Sequence, residues 1–199
     1  MAGRFGKLTK IPPEPAAKLL AQGNVTLETR LEAPASASVE AVLDELDAKD
    51  AHVDLLRLLS VALPPRERVW WACLAARDIV GTGVENETPC LLAAEAWVFR
   101  PSDENRNTAI DSMDHADKND VTTHCAMAVM YCDGTLGTGD MAQMPAPPGA
   151  SSIAAFAMNV EAISTRRDDF DSYIQEVIDR AADIGRGGNG KRKTMKEGA

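Results

Sequence analysis

Apolar residues recur along most of this chain at the three- and four-residue spacing of α-helices. One early example consists of Val39, Val42, Leu43 and Leu46. Residues 69–76 differ, because they contain no charged or amide side chain over two full turns. A helix that is apolar all round is covered by neighbours on every side. The pattern therefore predicts an all-α fold around a central helix that begins near Pro65 and contains Trp70 and Trp71.

The rest of the pattern predicts a single helical bundle, or a stack of helical hairpins, of about seven to eight helices over residues 14–185. Capping residues and prolines mark several helix starts, such as Thr88 before Pro89. Residues 133–149 are rich in glycine and proline. We expect them to form a loop, and loops of this length are often functional.

Charge is distributed unevenly along the sequence. The chain carries −9, residues 1–10 carry +3 and residues 186–199 carry +4, which leaves −16 for the body between them. We therefore expect a flexible basic arm over residues 1–13 and a disordered basic tail over residues 186–199. An acidic body repels nucleic acid and anionic membrane, so we predict neither as a partner.

No segment has the pattern of a membrane span or a secretory signal. The mostly apolar run of residues 55–63 is too short to cross a bilayer. The four cysteines lack CxxC spacing and are expected to be buried, reduced thiols. These features predict a cytoplasmic protein without membrane insertion, and they leave export by a dedicated secretion system open.

Two clusters invite a metal interpretation that the spacing does not favour. His124 could join Cys125 and Cys132, but the two cysteines are seven residues apart in a predicted helical region, where core packing is the better interpretation. Aspartates recur every third residue near the middle of the chain, without the spacing of a calcium loop. Their first members, Asp111, Asp114 and Asp117, are predicted to form a solvated acidic face that contacts a partner. We predict no metal and no cofactor.

The central helix supplies the main candidate site. Trp70, Trp71 and Arg77 could line a pocket together with Glu95 and Trp97 of a following helix, where a guanidinium can stack on indole. The alternative is structural. Arg77 and Glu95 would then form an ion pair that fixes the register of two helices, and the indoles would belong to the core.

Residues 63–77, which read LPPRERVWWACLAAR, resemble a sequence box of an uncharacterised bacterial domain-of-unknown-function family. The likeness continues through residues 93–98, 101–106 and 183–187, so that it covers roughly residues 36–187. It implies an accessory protein of bacterial secretion loci, type VI among them. After Tyr131 this chain has Cys-Asp-Gly-Thr where the family has an aromatic-Trp-Ser-Gly-Gly turn, so a role of that turn is not expected here.

These observations predict a non-enzymatic protein-interaction module, an adaptor or accessory component of a multiprotein system whose partner is another protein. No arrangement of residues in the sequence specifies a catalytic reaction. Two alternatives stay open: a helical-bundle enzyme or small-ligand binder that uses the tryptophan region, and a structural protein that forms particles. The sequence predicts no oligomeric state.

Overall fold

The computed structural model describes residues 3–83 and 86–191, and this part of the chain folds into one bundle of nine α-helices without a β-strand. The helices are α1 (Ala16–Gln22), α2 (Val39–Ala48), α3 (His52–Ala62), α4 (Pro65–Val80), α5 (Pro89–Phe99), α6 (Asp103–Met113), α7 (Thr123–Met130), α8 (Ala150–Ser164) and α9 (Phe170–Gly185). The all-α prediction is confirmed, with nine helices where about seven to eight were expected.

Helix α4 is the centre of the bundle. It contacts α5, α7, α8 and α9, and every residue from 69 to 76 is buried except Trp70. Pro65 opens the helix, where its missing N–H has no intrahelical partner to lose. Gly81, at φ 87°, follows its last residue. The central position predicted from the apolar run is confirmed.

Side-chain caps fix the starts of three helices. The hydroxyls of Ser38, Thr88 and Ser102 accept hydrogen bonds from backbone N–H groups in the first turns of α2, α5 and α6. Helix α6 ends at Met113. Residues 114–120 form turns, and the Asp120 carboxylate accepts the backbone N–H of Thr122.

Residues 3–13 pack on the bundle, in contrast to the flexible basic arm predicted for residues 1–13, of which the first two lie outside the described residues. Phe5 and Leu8 are buried in the core. The Arg4 guanidinium binds Asp47 of α2 at 2.5 Å and Asp179 of α9 at 2.7 Å. Basic composition suggested a solvated segment, but two apolar anchors and two carboxylate partners hold it in place.

The predicted C-terminal tail divides into a packed part and a part outside the described residues. Residues 186–191 lie against the bundle: Gly190 is buried, and its N–H donates to Asp183 at 2.9 Å. The disorder predicted for residues 192–199 concerns positions that lie outside the described residues. We define residues 187–191 as the C-terminal strap.

The loop predicted over residues 133–149 has more local structure than its composition suggested. It contains a short 3-10 helix, Gly139–Gln143, and an isolated antiparallel bridge between Thr135 and Pro145. Arg106 of α6 anchors its base. This side chain is only 4% exposed, and it binds the Asp133 carboxylate at 2.6 Å and donates to the Met130 carbonyl.

Across residues 3–83 and 86–191, none of the helices has both the length and the apolar character that crossing a membrane requires.

Candidate functional site

The two adjacent tryptophans of α4 point in different directions. Trp71 is fully buried, and its indole Nε1–H donates to the Val177 carbonyl of α9 at 3.1 Å. This hydrogen bond satisfies the only polar atom that the side chain brings into the core. Trp97 of α5 is also buried. The core interpretation therefore describes Trp71 and Trp97.

Trp70 lies at the surface beside the C-terminal strap. Its Nε1–H donates to the Asn189 carbonyl at 2.8 Å, and the Lys191 ammonium lies 5.6 Å from the ring centroid. The ring of Phe99 is 6.2 Å away at an interplanar angle of 59°, within the range of favourable aromatic pairs. Phe99 is 74% exposed, so the pair presents an open aromatic surface.

A groove of about 340 Å³ runs along this aromatic pair. Its apolar surface comes from Trp70, Val98, Phe99 and Ile184. Its charged lining consists of Lys10, Arg66, Glu67 and Lys191, three cations against one carboxylate. We call this the aromatic groove. Its charge is opposite in sign to that of the acidic body.

A second cavity of about 410 Å³ shares Trp70 and Lys191 with the aromatic groove. Three helices and the strap contribute to its lining, which includes Arg77, Asp78, Glu95, Tyr173 and Arg180. We call it the polar cleft. The structure therefore brings three of the five predicted site residues, Trp70, Arg77 and Glu95, to one cavity, whereas Trp71 and Trp97 do not line it.

Arg77 and Glu95 form a bidentate ion pair between α4 and α5. The guanidinium Nε and Nη2 lie 2.8 and 2.6 Å from the two carboxylate oxygens. The side chains are 17% and 16% exposed, so the pair is neither dry nor open. The hydrogen bond to Glu95 raises the pKa of Arg77. This geometry fits a pair that joins two helices and also forms part of the wall of the polar cleft.

A second polar network, which the sequence analysis did not identify, centres on Asp78. Its Oδ2 accepts the Tyr173 hydroxyl at 2.7 Å and Arg180 Nη1 at 2.8 Å. Arg180 also binds Glu176 at 3.1 Å. Burial and the hydrogen bond to Asp78 both raise the pKa of Tyr173. The sequence contains only a weak signal of this network. Tyr173 and Arg180 lie on the otherwise apolar face of α9, which indicates that this face contacts a polar group.

Arg166 lies above the same network, and among the described residues no carboxylate lies within 4.0 Å of its guanidinium. Its guanidinium is 5.1 Å from the centroid of the Tyr173 ring, and its Nη2 donates to the Asp78 carbonyl at 3.3 Å. Every other arginine of the polar cleft binds a carboxylate. Most charges in the cleft are thus compensated within the protein.

The predicted acidic face is exposed, but it is not one helical face. Asp111 is in α6, Asp114 follows its last residue, and Asp117 lies in the turns before α7. All three are exposed. The three-residue spacing continued beyond the end of the helix, so it did not place these carboxylates on a single helix surface.

The cysteines are free thiols in the part of the chain that the structure describes. Cys73, Cys90 and Cys125 are buried, and Cys132 is half-buried. Burial and the neighbouring Cys125 raise the pKa of Cys73 well above its usual value, which keeps it in the unreactive thiol form. Within residues 3–83 and 86–191, no group of three or more histidine, cysteine or acidic side chains is placed to hold a metal ion.

Comparison with protein families shows that residues 42–185 match a family of unknown function, DUF6931. The chain belongs to the DUF6931 family. The comparisons with curated proteins and with solved structures gave no match. The DUF6931 region contains Trp70, Phe99 and the ion pair of Arg77 with Glu95, whereas Lys10 and the C-terminal strap lie outside it. The family region thus supplies the aromatic pair, and its flanking segments supply part of the basic lining of the groove.

Proposed function

We propose that this DUF6931 protein is a non-enzymatic protein-interaction module that binds its partner through the aromatic groove. The observation that supports the proposal is the exposed pair of Trp70 and Phe99. Aromatic residues and arginine are enriched at protein interfaces. Here Phe99 is 74% exposed at the edge of a cavity with Arg66 in its lining.

The polar groups nearby favour binding over chemistry. Arg77 is held by Glu95, and Asp78 is held by Tyr173 and Arg180. Arg77 and Arg180 stay protonated and cannot act as general bases, and each occupies the carboxylate beside it. The cleft therefore supports the interaction surface as a rigid wall, and we assign it no catalytic role.

The setting that we propose is a bacterial multiprotein system, with the protein acting as a cytoplasmic adaptor or accessory component. The resemblance of residues 63–77 to proteins of secretion loci, type VI among them, is the support for this setting. The unequal charge of the chain also fits a protein that meets more than one surface, since an acidic body and a basic groove attract different partners.

The experiment is site-specific cross-linking in the native host. A photo-reactive amino acid at position 99 should give one defined adduct, because the ring there faces the bound partner. Ile153 of α8 is the matched control, since it is apolar and 52% exposed but does not line the groove. The adduct protein, once purified, should bind the wild-type chain and bind Phe99→Ser at least about tenfold more weakly.

Two results would contradict the interaction proposal. One is the absence of an adduct at position 99 under conditions where the protein is abundant. The other is the same set of adducts from positions 99 and 153, which would indicate collisions rather than a specific interface. An adduct that is a component of a secretion apparatus would support the proposed setting, and an unrelated protein would refute it.

A small-ligand binder at the polar cleft is a second candidate, favoured by the position of Trp70, Arg77 and Glu95 around one cavity of about 410 Å³. Pockets for small ligands usually have volumes of about 300–1,000 Å³. A thermal-shift screen of small polar metabolites tests this function. A true ligand should raise the melting temperature of the wild-type chain and of Phe99→Ser equally, and should not do so for Glu95→Gln.

A further inference from the structure

We infer that the aromatic groove takes a short, extended segment of another protein in which one bulky apolar side chain is flanked by carboxylates. This inference rests on the proposed function and names the chemistry of its ligand. It follows from three properties of the groove: its volume, the two cations that have no acidic partner among the described residues, and a charge opposite in sign to that of the body.

The size of the groove favours one anchoring side chain. About 340 Å³ is near the lower end of the range for small-ligand pockets. A docked amphipathic helix needs anchors at several successive turns, and therefore a longer groove. The open edge formed by Trp70 and Phe99 offers ring faces to an aromatic or aliphatic residue. A single anchor from an extended segment fits this surface.

Arg66 is oriented toward a ligand that carries negative charge. Its Nε donates to the Val98 carbonyl at 2.6 Å, which fixes the plane of the guanidinium beside the groove. Within residues 3–83 and 86–191 its two terminal nitrogens make no hydrogen bond, and no carboxylate lies within 4.0 Å of them. A fixed guanidinium edge matches the geometry of a carboxylate.

Lys191 adds a second cation that has no carboxylate partner among the described residues. Its ammonium lies over the Trp70 ring, where a ligand that stacks on the indole would also reach it. Lys10 contributes less, because Glu67 binds it at 3.3 Å. Two cations of the groove, Arg66 and Lys191, therefore have no acidic partner among the described residues.

The contrast between the basic groove and the acidic body determines the sign of the charge that the ligand should carry. The body carries −16, and a basic segment would be drawn to that surface instead of to two lysines and an arginine. Charges separated by more than about 8 Å are largely screened at physiological ionic strength. A short acidic segment therefore responds mainly to the groove, and repulsion from the body excludes larger acidic surfaces.

The described part of the chain itself contains a segment of similar chemistry. Phe170, at the start of α9, is 45% exposed and lies between Asp169 and Asp171. Arg166 and Arg167 precede it and weaken its resemblance to the inferred ligand. A second copy of the chain is accordingly an alternative occupant that the experiment must distinguish.

The experiment selects ligands from a random peptide library displayed on phage, with the full chain immobilised. The expected result is enrichment of Asp and Glu within two residues of a Trp, Phe or Leu anchor. Phe99→Ser should lose the enrichment and Ile153→Ser should retain it. The double variant Arg66→Glu, Lys191→Glu should instead select Lys and Arg around the same anchor. A synthetic peptide of the selected sequence should bind Arg66→Gln at least about fivefold more weakly than wild type.

Each other outcome has a defined meaning. Anchored peptides with neutral or basic flanks, unchanged by the charge reversal, would overturn the inferred ligand and leave the interaction function standing. No enrichment, or enrichment that Phe99→Ser retains, would overturn both. Selected sequences that match residues 168–171, with self-association abolished by Phe170→Ser, would assign the groove to a second copy and overturn the inference. Matching unfolding midpoints of the variants show that each is folded; if the double variant is not, Arg66→Gln provides the charge test.

Discussion

Trp70 and Trp71 are neighbours in the sequence, yet one indole belongs to the surface and the other to the core. Both donate their Nε1–H to a backbone carbonyl, Trp70 to the C-terminal strap and Trp71 to α9. The difference lies in what covers the rings. Helices enclose Trp71, whereas Trp70 is covered in part by the strap and is open toward Phe99. One turn of a central helix therefore contributes one ring to the core and another to an exposed aromatic surface.

The largest expected effect comes from truncating the two tryptophans. Trp71→Ala should lower the free energy of unfolding by about 3–5 kcal/mol, because it leaves a cavity in the centre of the bundle. Trp70→Ala should lower it by about 1 kcal/mol, because the ring is only half-buried. Urea unfolding followed by far-ultraviolet circular dichroism measures both. Equal losses would contradict the division between core and surface.

The next largest effect is expected at Arg106, whose side chain is buried, and a smaller one at its more exposed partner Asp133. Arg106→Met should lower the free energy of unfolding by about 2–3 kcal/mol, since it removes donors from the Met130 carbonyl as well as from Asp133. Asp133→Asn is the matched variant. Asp133 is 49% exposed, so its loss should cost less. A larger cost for Asp133→Asn would show that the ion pair, not the carbonyl contact, holds the loop.

A smaller effect is expected at the wall of the polar cleft. Arg77→Met and Glu95→Gln should each lower the free energy of unfolding by about 1 kcal/mol, because solvent reaches both side chains and reduces the strength of the pair. The double variant should cost less than the sum of the single variants. Strict additivity would mean that the two residues act independently.

The smallest effect is expected at Glu45 and appears only at acidic pH. Hydrogen bonds from Lys49 and from the backbone N–H groups of Glu32 and Ala33 lower the pKa of Glu45 from 4.5 to about 2. A lowered pKa in the folded state means that the stabilisation is complete above pH 4.5 and is lost as the pH falls through about 2. The amide proton shifts of Glu32 and Ala33 should therefore titrate with a midpoint near 2.

The control for this titration is Glu45→Gln, in which both amide shifts should be insensitive to acid over the same range. A midpoint near 4.5 in the wild-type chain would contradict the hydrogen bonds that the structure shows. The carboxylate of Asp54 should also titrate below its usual range. Burial opposes its ionisation, but hydrogen bonds from Thr29, Arg57 and Glu28 outweigh this effect and lower its pKa.

The sequence predicted the helices and the central position of α4 because both follow from the spacing of apolar residues. It could not predict which residue of the run 69–76 remains exposed. That depends on where the neighbouring helices end, and an apolar pattern does not distinguish Trp70 from Trp71. The packed N-terminal segment was missed for a similar reason. Its charges suggested solvent, while Phe5 and Leu8 decided its position.

The candidate site was predictable only in part. The pairing of Arg77 with Glu95 could be inferred from their places on two consecutive helices. The network of Asp78, Tyr173 and Arg180 joins residues about a hundred positions apart, and only the tertiary fold brings them together. Arg106 was hidden for another reason: it occurs in a polar helix, where a buried guanidinium looks like one more surface charge.

The two ends of the described chain meet on one side of the molecule. The N–H of Lys10 donates to the Gly185 carbonyl at 2.8 Å, and Arg186 Nη1 donates to the Arg4 carbonyl at 2.8 Å. A dye attached to Lys10 or Lys191 would consequently lie in the lining of the aromatic groove and compete with whatever binds there. Recombinant forms intended for partner capture are better labelled through the outer surface of α8.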